Sequence, residues 1–453
     1  MRIIGARPSA QNHRWTAKSR RGALKASRLV NHPDVLILEQ NLYRRPTPYI
    51  SHLDSHFWLQ AGPKAIDLYD LEHAAREIYT RQATAHLGYD AGTPESFAMP
   101  TSDDALVDAI TTGVPTLLQL LDALSSILER FQPQHLAQVL TLLETERSAL
   151  RTICQQLETA SFPEHVARFG QLLTLAMNQA ERVMTHLEAT EADPMRILAA
   201  HRSLCRAKES LYPAATLLAP IHEFFLEPSA RRSTPLTPEA ITTHEGALLI
   251  HQDHDRESRG GYSLYAPASA RIEPRPLIIA LHGGTGHGRD TLWHWLPNAR
   301  SRDMSLIAPT SMDDTWSLFQ PELDLHALMG HLETVRQHIE RPSKVLLAGM
   351  SDGATFSLQI GLRRPDLFPF IAPFSGMLDP TLLIEPLSGI ATQRIYWVHG
   401  HFDTMFPFEL ATESVTALNE RGLNATLDAQ SDLGHSFAAS RVPAVLDWFD
   451  RDE

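Results

Sequence analysis

From about Ser102 to Leu226 the apolar residues recur at helical spacing. Leu136, Val139, Leu140, Leu143, Leu150, Ile153 and Leu157 form the i, i+3, i+4, i+7 stripe of an amphipathic helix. Ser161 with Glu164 three residues on fits a capping box, and Asp193-Pro194 sets an N-cap acid before a first-turn proline. The pattern predicts four helices, at about 103–131, 133–158, 163–190 and 194–226. Short turns between long helices imply antiparallel neighbours, so this stretch reads as an up-and-down bundle. Upstream, residues 34 to about 100 mix short apolar runs with Pro46, Pro48, Pro63, Pro94 and Pro100, and only Leu71 to Thr84 reads as helical.

The pattern changes after Pro228–Pro238, a Pro- and Ser-rich linker. Ala247–His251 and Tyr262–Ala266 read as the two strands of a hairpin. Strands are then expected at Leu277–Leu281, Leu306–Ala308, Val345–Ala348, Phe370–Phe374, Arg394–Val398 and Ala425–Leu427. Helices are expected at about 323–340, 352–363, 408–421 and 437–450. Strands alternating with helices give an α/β domain, a mostly parallel sheet covered on both faces, with its chemistry at the carboxyl ends of the strands. The expected division is a basic tail at 1–33, a helical domain at 34–227, a linker at 228–240 and a catalytic domain at 241–453.

The strongest chemical signal is Gly349-Met350-Ser351-Asp352-Gly353, between an apolar strand and a helical stretch. A nucleophile on a sharp strand-to-helix turn needs small neighbours, which the two glycines supply. The helix that follows points its N–H groups and positive dipole end at a developing oxyanion. After the strand Leu277–Leu281 comes His282-Gly283-Gly284-Thr285-Gly286, whose backbone N–H groups can serve the same oxyanion. Neither rival reading of these glycines fits. A dinucleotide fingerprint needs glycine where Arg289 stands, and a P-loop needs Lys-Ser/Thr where Arg289-Asp290 stands.

Asp403 closes the run His399-Gly400-His401-Phe402-Asp403 after a strand, with Asp379 and Asp432 as its competitors. His435 follows in a Gly-containing loop before the last helix. The chain order Ser, Asp, His is that of the α/β-hydrolases. In that scheme His435 takes the Ser351 proton, and Asp403 fixes the tautomer and stabilises the imidazolium. Trp293, Trp295 and Trp316 lie near carboxyl strand ends, where they could wall a pocket for an acyl or aryl group or pack a helix onto the sheet. Met350 reads as core.

Composition narrows the class. The chain of 453 residues is 43% hydrophobic and 21% charged, with a formal net charge of −13 that argues against nucleic acid or anionic lipid as a general partner. No apolar run approaches the ~18 residues of a membrane span. Two cysteines, Cys154 and Cys205, cannot form a disulfide framework and point to a reducing compartment, so the expected location is cytoplasmic. Residues 1–33 carry eight Lys/Arg and no acid, which reads as an organelle transit peptide, as a disordered basic tail, or as sequence read from a start codon set too early. Metal sites find little support: no Glu from 100 to 228 has a His three residues on, and the His52/His56 pair reads as surface or hydrogen-bonded histidines. No cofactor is expected.

On Leu281–Gly286, Gly349–Ala354, His399–Asp403 and Gly434-His435, the last ~210 residues resemble the α/β-hydrolase superfamily, in its phospholipase/carboxylesterase and dienelactone-hydrolase-like branch. The resemblance implies a Ser351–Asp403–His435 triad and an oxyanion hole from the N–H of Asp352 plus one from the Gly loop, Gly284 first and Thr285 next. It implies a serine hydrolase of carboxylic esters, with a lipid or small-molecule ester as substrate. An oligopeptidase-type amide hydrolase and a non-catalytic protein working through its helices are the alternatives. The helical region resembles no known family. Its expected role is to cover the pocket mouth or to form a homo-oligomer interface.

Overall fold

The computed structural model describes residues 106–451, apart from 132, 161, 163, 189–192, 232, 234, 235, 254 and 386–391. The basic leader, the Leu71–Thr84 helix and the His52/His56 pair lie outside the described residues. All described residues fall within one compact unit, Gln60–Glu453.

The first half is helical but more broken than its periodicity predicts. A π-turn, Ala109–Gly113, leads into α1 (Val114–Glu129). Pro115 cannot donate to the carbonyl four residues back, and the ladder widens just before it. Next come α2 (Leu136–Leu142), α3 (Glu144–Thr159), α4 (Glu164–Glu188) and α5 (Pro194–Leu211). The helix expected over 194–226 stops at Leu211. Pro213 and Pro220 lack the amide proton it would need, so a 3₁₀ turn (Tyr212–Thr216) and a short α6 (Ala219–Phe224) replace its second half.

Helix α1 sits at the centre of this region, burying Leu117, Leu120, Leu121, Leu124 and Leu128 against α3, α4, α5 and α6. The longest helix, α4, buries Val166, Phe169, Leu173, Ala176, Met177, Ala180, Val183, Met184 and Leu187 at the same period. Arg147 of α3 is buried and bonded to Glu181 and Glu188 of α4, which raises its pKa still further. Among the described residues no helix is long and apolar enough to cross a membrane.

A helix not anticipated from the sequence, α7 (Pro238–Gly246), follows the linker, its N-terminus capped by the Thr237 hydroxyl on the Ala240 N–H at 3.2 Å. The strands are β1 (Leu248–Gln252), β2 (Tyr262–Ala266), β3 (Leu277–Leu281), β4 (Ser305–Pro309), β5 (Val345–Met350), β6 (Phe370–Phe374), β7 (Arg394–Gly400) and β8 (Asn424–Gln430). They form one eight-stranded sheet in the order β1-β2-β4-β3-β5-β6-β7-β8. Strand β2 is antiparallel to β1 and β4, and every later pair is parallel.

The helices between and after the strands are α8 (Gly288–Ser301), α9 (Glu322–Val335), α10 (Asp352–Arg363), α11 (Phe408–Glu420) and α12 (Val442–Asp450). Leu277, Ile279 and Leu281 of β3 pack with Leu328 of α9 and with Phe356 and Ile360 of α10. The alternate residues Ile278 and Ala280 are equally buried and face the opposite side, where α8 lies. Leu358 and Leu362 of α10 join a second core with Trp397 of β7 and Val415 and Leu418 of α11. The mostly parallel, two-faced sheet expected of the second half is what forms.

Because the helical region and the sheet belong to one unit, a cavity in α1 should weaken both. Leu121→Ala is expected to cost about 2–5 kcal/mol. Denaturant midpoints by far-ultraviolet circular dichroism should fall in step with those by fluorescence of Trp293, Trp295, Trp316, Trp397 and Trp448, all in the sheet region.

Candidate active site

Strand β5 lies between β3 and β6, so the loops that follow all three meet at one place. Ser351 joins β5 to α10 with φ 55° and ψ −120°, a conformation that costs a non-glycine residue about 1–3 kcal/mol. The turn holds because its surroundings allow nothing larger. A Cβ on Gly349 would stand 2.2 Å from the Gly353 carbonyl oxygen, and one on Gly353 would stand 2.4 Å from that of His282. The Ser351 N–H donates to the Phe374 carbonyl at 2.9 Å, tying the turn to the end of β6.

His435 lies in the loop between β8 and α12. Its Nε2 is 2.8 Å from Ser351 Oγ, and its Nδ1 is 2.9 Å from Asp403 Oδ2. With the proton on Nδ1, the ring donates to Asp403 and accepts the serine hydroxyl. The other Asp403 oxygen accepts the N–H groups of Met405 at 3.0 Å and Phe406 at 2.8 Å. Burial alone would raise the Asp403 pKa. The bond from His435 and the Phe406 N–H outweigh it and hold the carboxyl below its usual range, so it is ionised near neutrality. Of its two competitors, Asp379 caps a 3₁₀ turn through the Thr381 N–H, and Asp432 pairs with Arg130.

The glycine-rich loop after β3 runs beside this trio. A Cβ on Gly283 would lie 3.4 Å from Ser351 Cβ, and one on Gly284 2.7 Å from Asp352 Oδ2. The Thr285 N–H already donates to the Asp314 carbonyl at 2.9 Å, which leaves Gly284 the better placed of the two oxyanion candidates. The loop is braced from several sides. His282 Nδ1 is 2.6 Å from the Gly283 carbonyl oxygen, Arg259 Nη1 donates to the Gly286 carbonyl at 2.7 Å, and Arg202 of α5 donates to that of Thr285 at 2.6 Å. Asp352 offers its backbone N–H at the start of α10, while its carboxylate accepts the Thr315 hydroxyl at 2.5 Å.

The three tryptophans are all buried, at 1%, 1% and 3% exposure, and do different things. Trp293 packs against Tyr212 and Phe225 of the helical region. Trp295 packs against Phe374 and Phe437, next to the Ser351 turn and the His435 loop. Trp316 stacks on Phe356, donates to the His282 carbonyl at 2.8 Å and lines a cleft of about 590 Å³ with Thr315, Phe319 and Leu323. Of the three, Trp295 and Trp316 adjoin the loops that carry Ser351, His435 and the glycine run.

Known proteins match this second half. Residues 327–431, spanning Ser351 and Asp403, match the family described as "Putative esterase". Acyl-protein thioesterase 1 of Neurospora crassa is 22% identical over 218 residues, 41% of this chain and 89% of that protein. The C-terminal region is a carboxylesterase-like α/β-hydrolase domain. Similar solved structures include esterase PE8, at 22% identity over 40% of this chain and 94% of that one, with a TM-score of 0.33. An S-formylglutathione hydrolase from Agrobacterium tumefaciens is 15% identical over 45% of this chain and 94% of that one, with a TM-score of 0.36.

Sequence reasoning missed several residues of this hydrolase site. Thr315 and Arg202 carry no local signal, and His282 and His399 stand in recognised motifs without an assigned task. His282 accepts the Ser311 N–H on Nε2 at 3.0 Å, and burial pushes its pKa down to about 3. His399, 3.5 Å from Asp403, is also lowered by burial, partly offset by its bond to the Phe406 carbonyl. Above the ordinary value of 6.5 neither histidine is charged, folded or unfolded, and neither contributes a pH term. Below it the unfolded chain binds protons that the fold refuses, so stability should fall by about 1.4 kcal/mol per pH unit for His282, with a loss of the same sign from His399. Denaturant midpoints measured downward from about pH 7 should show this loss, with a shallower slope for His282→Gln.

Proposed function

We propose that the chain hydrolyses carboxylic esters through an acyl-enzyme, with Ser351 as nucleophile, His435 as general base and acid, and Asp403 as the group that orients and stabilises the imidazolium. The observation that carries this reading is the continuous Ser351–His435–Asp403 hydrogen-bond chain, 2.8 and 2.9 Å long, on a turn with positive φ. Ser351 Oγ attacks the acyl carbon as its proton passes to His435 Nε2. The carbonyl oxygen becomes an oxyanion facing the Asp352 and Gly284 N–H groups. Collapse expels the alkoxide, which takes the His435 proton. Water, deprotonated by the same nitrogen, then attacks the acyl-serine and releases acid and Ser351.

The same steps serve an oxygen ester or a thioester, and the thioesterase relative makes thioesters worth including among the substrates. Within this reading residues 241–453 form the catalytic domain, the helices before residue 227 form a bundle domain, and Trp295 and Trp316 flank the substrate.

Intact-mass analysis after a fluorophosphonate probe tests the assignment. One adduct is expected on the wild type and none on Ser351→Ala. Asp403→Asn should keep its fold and lose about 10⁴-fold in kcat on a short-chain ester, because the imidazole is then held in the wrong tautomer. A wild type that takes no adduct while fully folded would overturn the reading.

A further inference from the structure

We propose that Glu129 and Arg130, at the C-terminus of α1, are positioning residues for His435, so that the helical region is a working part of the reaction centre; this rests on the hydrolase reading above. The loop carrying His435 has little regular structure of its own. Between the end of β8 at Gln430 and the start of α12 at Val442 it contains one 3₁₀ turn, Ala439–Arg441. Within the hydrolase domain it is held by the Phe402 N–H on the Leu433 carbonyl at 2.9 Å and by a long Ser375 hydroxyl contact to the Ser436 carbonyl at 3.4 Å. Phe437 also packs on His294, Trp295 and Phe374, His435 itself bonds to Asp403, and Arg441 at the far end of the loop pairs with Asp428. Further polar fastenings on either side of the histidine come from α1.

Arg130 Nε donates to Asp432 Oδ2 at 2.8 Å, three residues before His435. The Ser436 hydroxyl, one residue after it, donates to the Glu129 carbonyl at 2.6 Å. Further on, the Ser440 N–H lies 3.2 and 3.3 Å from the two oxygens of the Glu129 carboxylate, and the Ser440 hydroxyl donates to the same group. Arg130 Nη2 reaches the Ser440 oxygen at 3.4 Å. The loop is gripped on both sides of the histidine by two consecutive residues some 300 positions away in the chain.

Glu129 is a poor residue for α1 itself. A carboxylate in the last turn meets the negative end of the helix dipole, and at 8% exposure it has lost most of its water. Burial raises its pKa, and Ser440 and Arg130 work against that rise. The last carbonyls of a helix also lack donors within it, and the Ser436 hydroxyl supplies one. Besides each other, at 3.6 Å, Glu129 and Arg130 find their partners in the His435 loop. On the far side of Ser351, Arg202 of α5 holds the Thr285 carbonyl of the oxyanion loop, so the helical region touches both arms of the site.

The test uses the full-length chain and compares Arg130→Met, Arg130→Lys, Asp432→Asn, Ser440→Ala and the Arg130→Met/Asp432→Asn double variant. Ester kinetics, the rate of fluorophosphonate labelling and the melting temperature are measured for each. A displaced histidine should lower kcat and the labelling rate about 10-fold while KM stays within about twofold, because substrate binding does not use His435. The double variant should be no worse than the more affected single, and Arg130→Lys should recover part of the loss. If Arg130→Met fails to fold, Asp432→Asn and Ser440→Ala carry the same expectation from the loop side. Variants that melt lower but match the wild type in kcat and labelling rate overturn the positioning role alone. A wild type that neither turns over esters nor labels overturns the hydrolase reading on which it rests.

Discussion

The geometry of the site descends from one strained residue. Ser351 can stand with φ 55° between β5 and α10 only if the backbone around it is stripped of side chains. Gly349 and Gly353 clear the turn itself. Gly376, where a Cβ would come 2.6 Å from that of Ala354, lets the loop after β6 close over the start of α10. The strain is balanced by what converges there: the Ser351 N–H on Phe374, the Thr355 N–H on the Ser351 carbonyl, and a glycine loop so close that a Cβ on Gly283 would lie 3.4 Å from that of Ser351. Moving Ser351 out of this conformation would break all of these contacts together. That is why a weakly favoured backbone angle can persist in the native state.

That constraint also explains what could be read in advance. A turn that tolerates only glycine two residues either side of the nucleophile writes itself into the sequence, as does a run of short apolar strands buried on both faces. Ser351, Asp403 and His435 were therefore legible as candidates from motif and order, and so were most strands. Other elements were legible and missed. The Thr237-Pro238 pair is an N-cap signal, yet it sits in a Pro-rich stretch that reads equally well as linker. Pro213 and Pro220 announce the end of α5, but the apolar period continues past them and outweighs them in a periodicity argument. The third kind was not legible at all. Nothing local marks Glu129, Arg130, Arg202 or Thr315, because their significance lies in partners on distant loops. Apolar tryptophans are ambiguous for a related reason: burial in a helix interface and burial beside a substrate need the same side chain.

Electrostatics divide the domain into groups that keep their charge and groups denied one. Asp403 is buried yet ionised, because backbone N–H groups and His435 together solvate it better than burial penalises it. His282, and His399 four residues before Asp403, have no counter-charge strong enough to offset burial and stay neutral. A neutral His282 can accept from Ser311 on one nitrogen while its other nitrogen faces the Gly283 carbonyl, an arrangement that a doubly protonated ring would break. The glycine-rich loop thus depends on a histidine remaining uncharged, and the orientation of His435 on an aspartate remaining charged.

The seam between the helices and the sheet combines the apolar packing of Trp293 on Tyr212 and Phe225 with a set of polar pairs. Glu209 of α5 is bound to Arg256 and Arg289, Glu227 to Arg302, and Glu129 and Arg130 to the loop of His435. Pairs of this kind add little net stability, since desolvation offsets most of the attraction, but a missing partner leaves a buried charge exposed to the full cost. They therefore set one relative placement of two surfaces more than they hold them together. For a histidine on a loop bonded to both sides of the seam, a fixed placement is what matters. An apolar seam of equal area would bury the same residues yet tolerate small slides, and a slide of about 1 Å at His435 is enough to lose most of the rate. The polar pairs of the seam and the histidine loop they reach are, on this account, two halves of one arrangement.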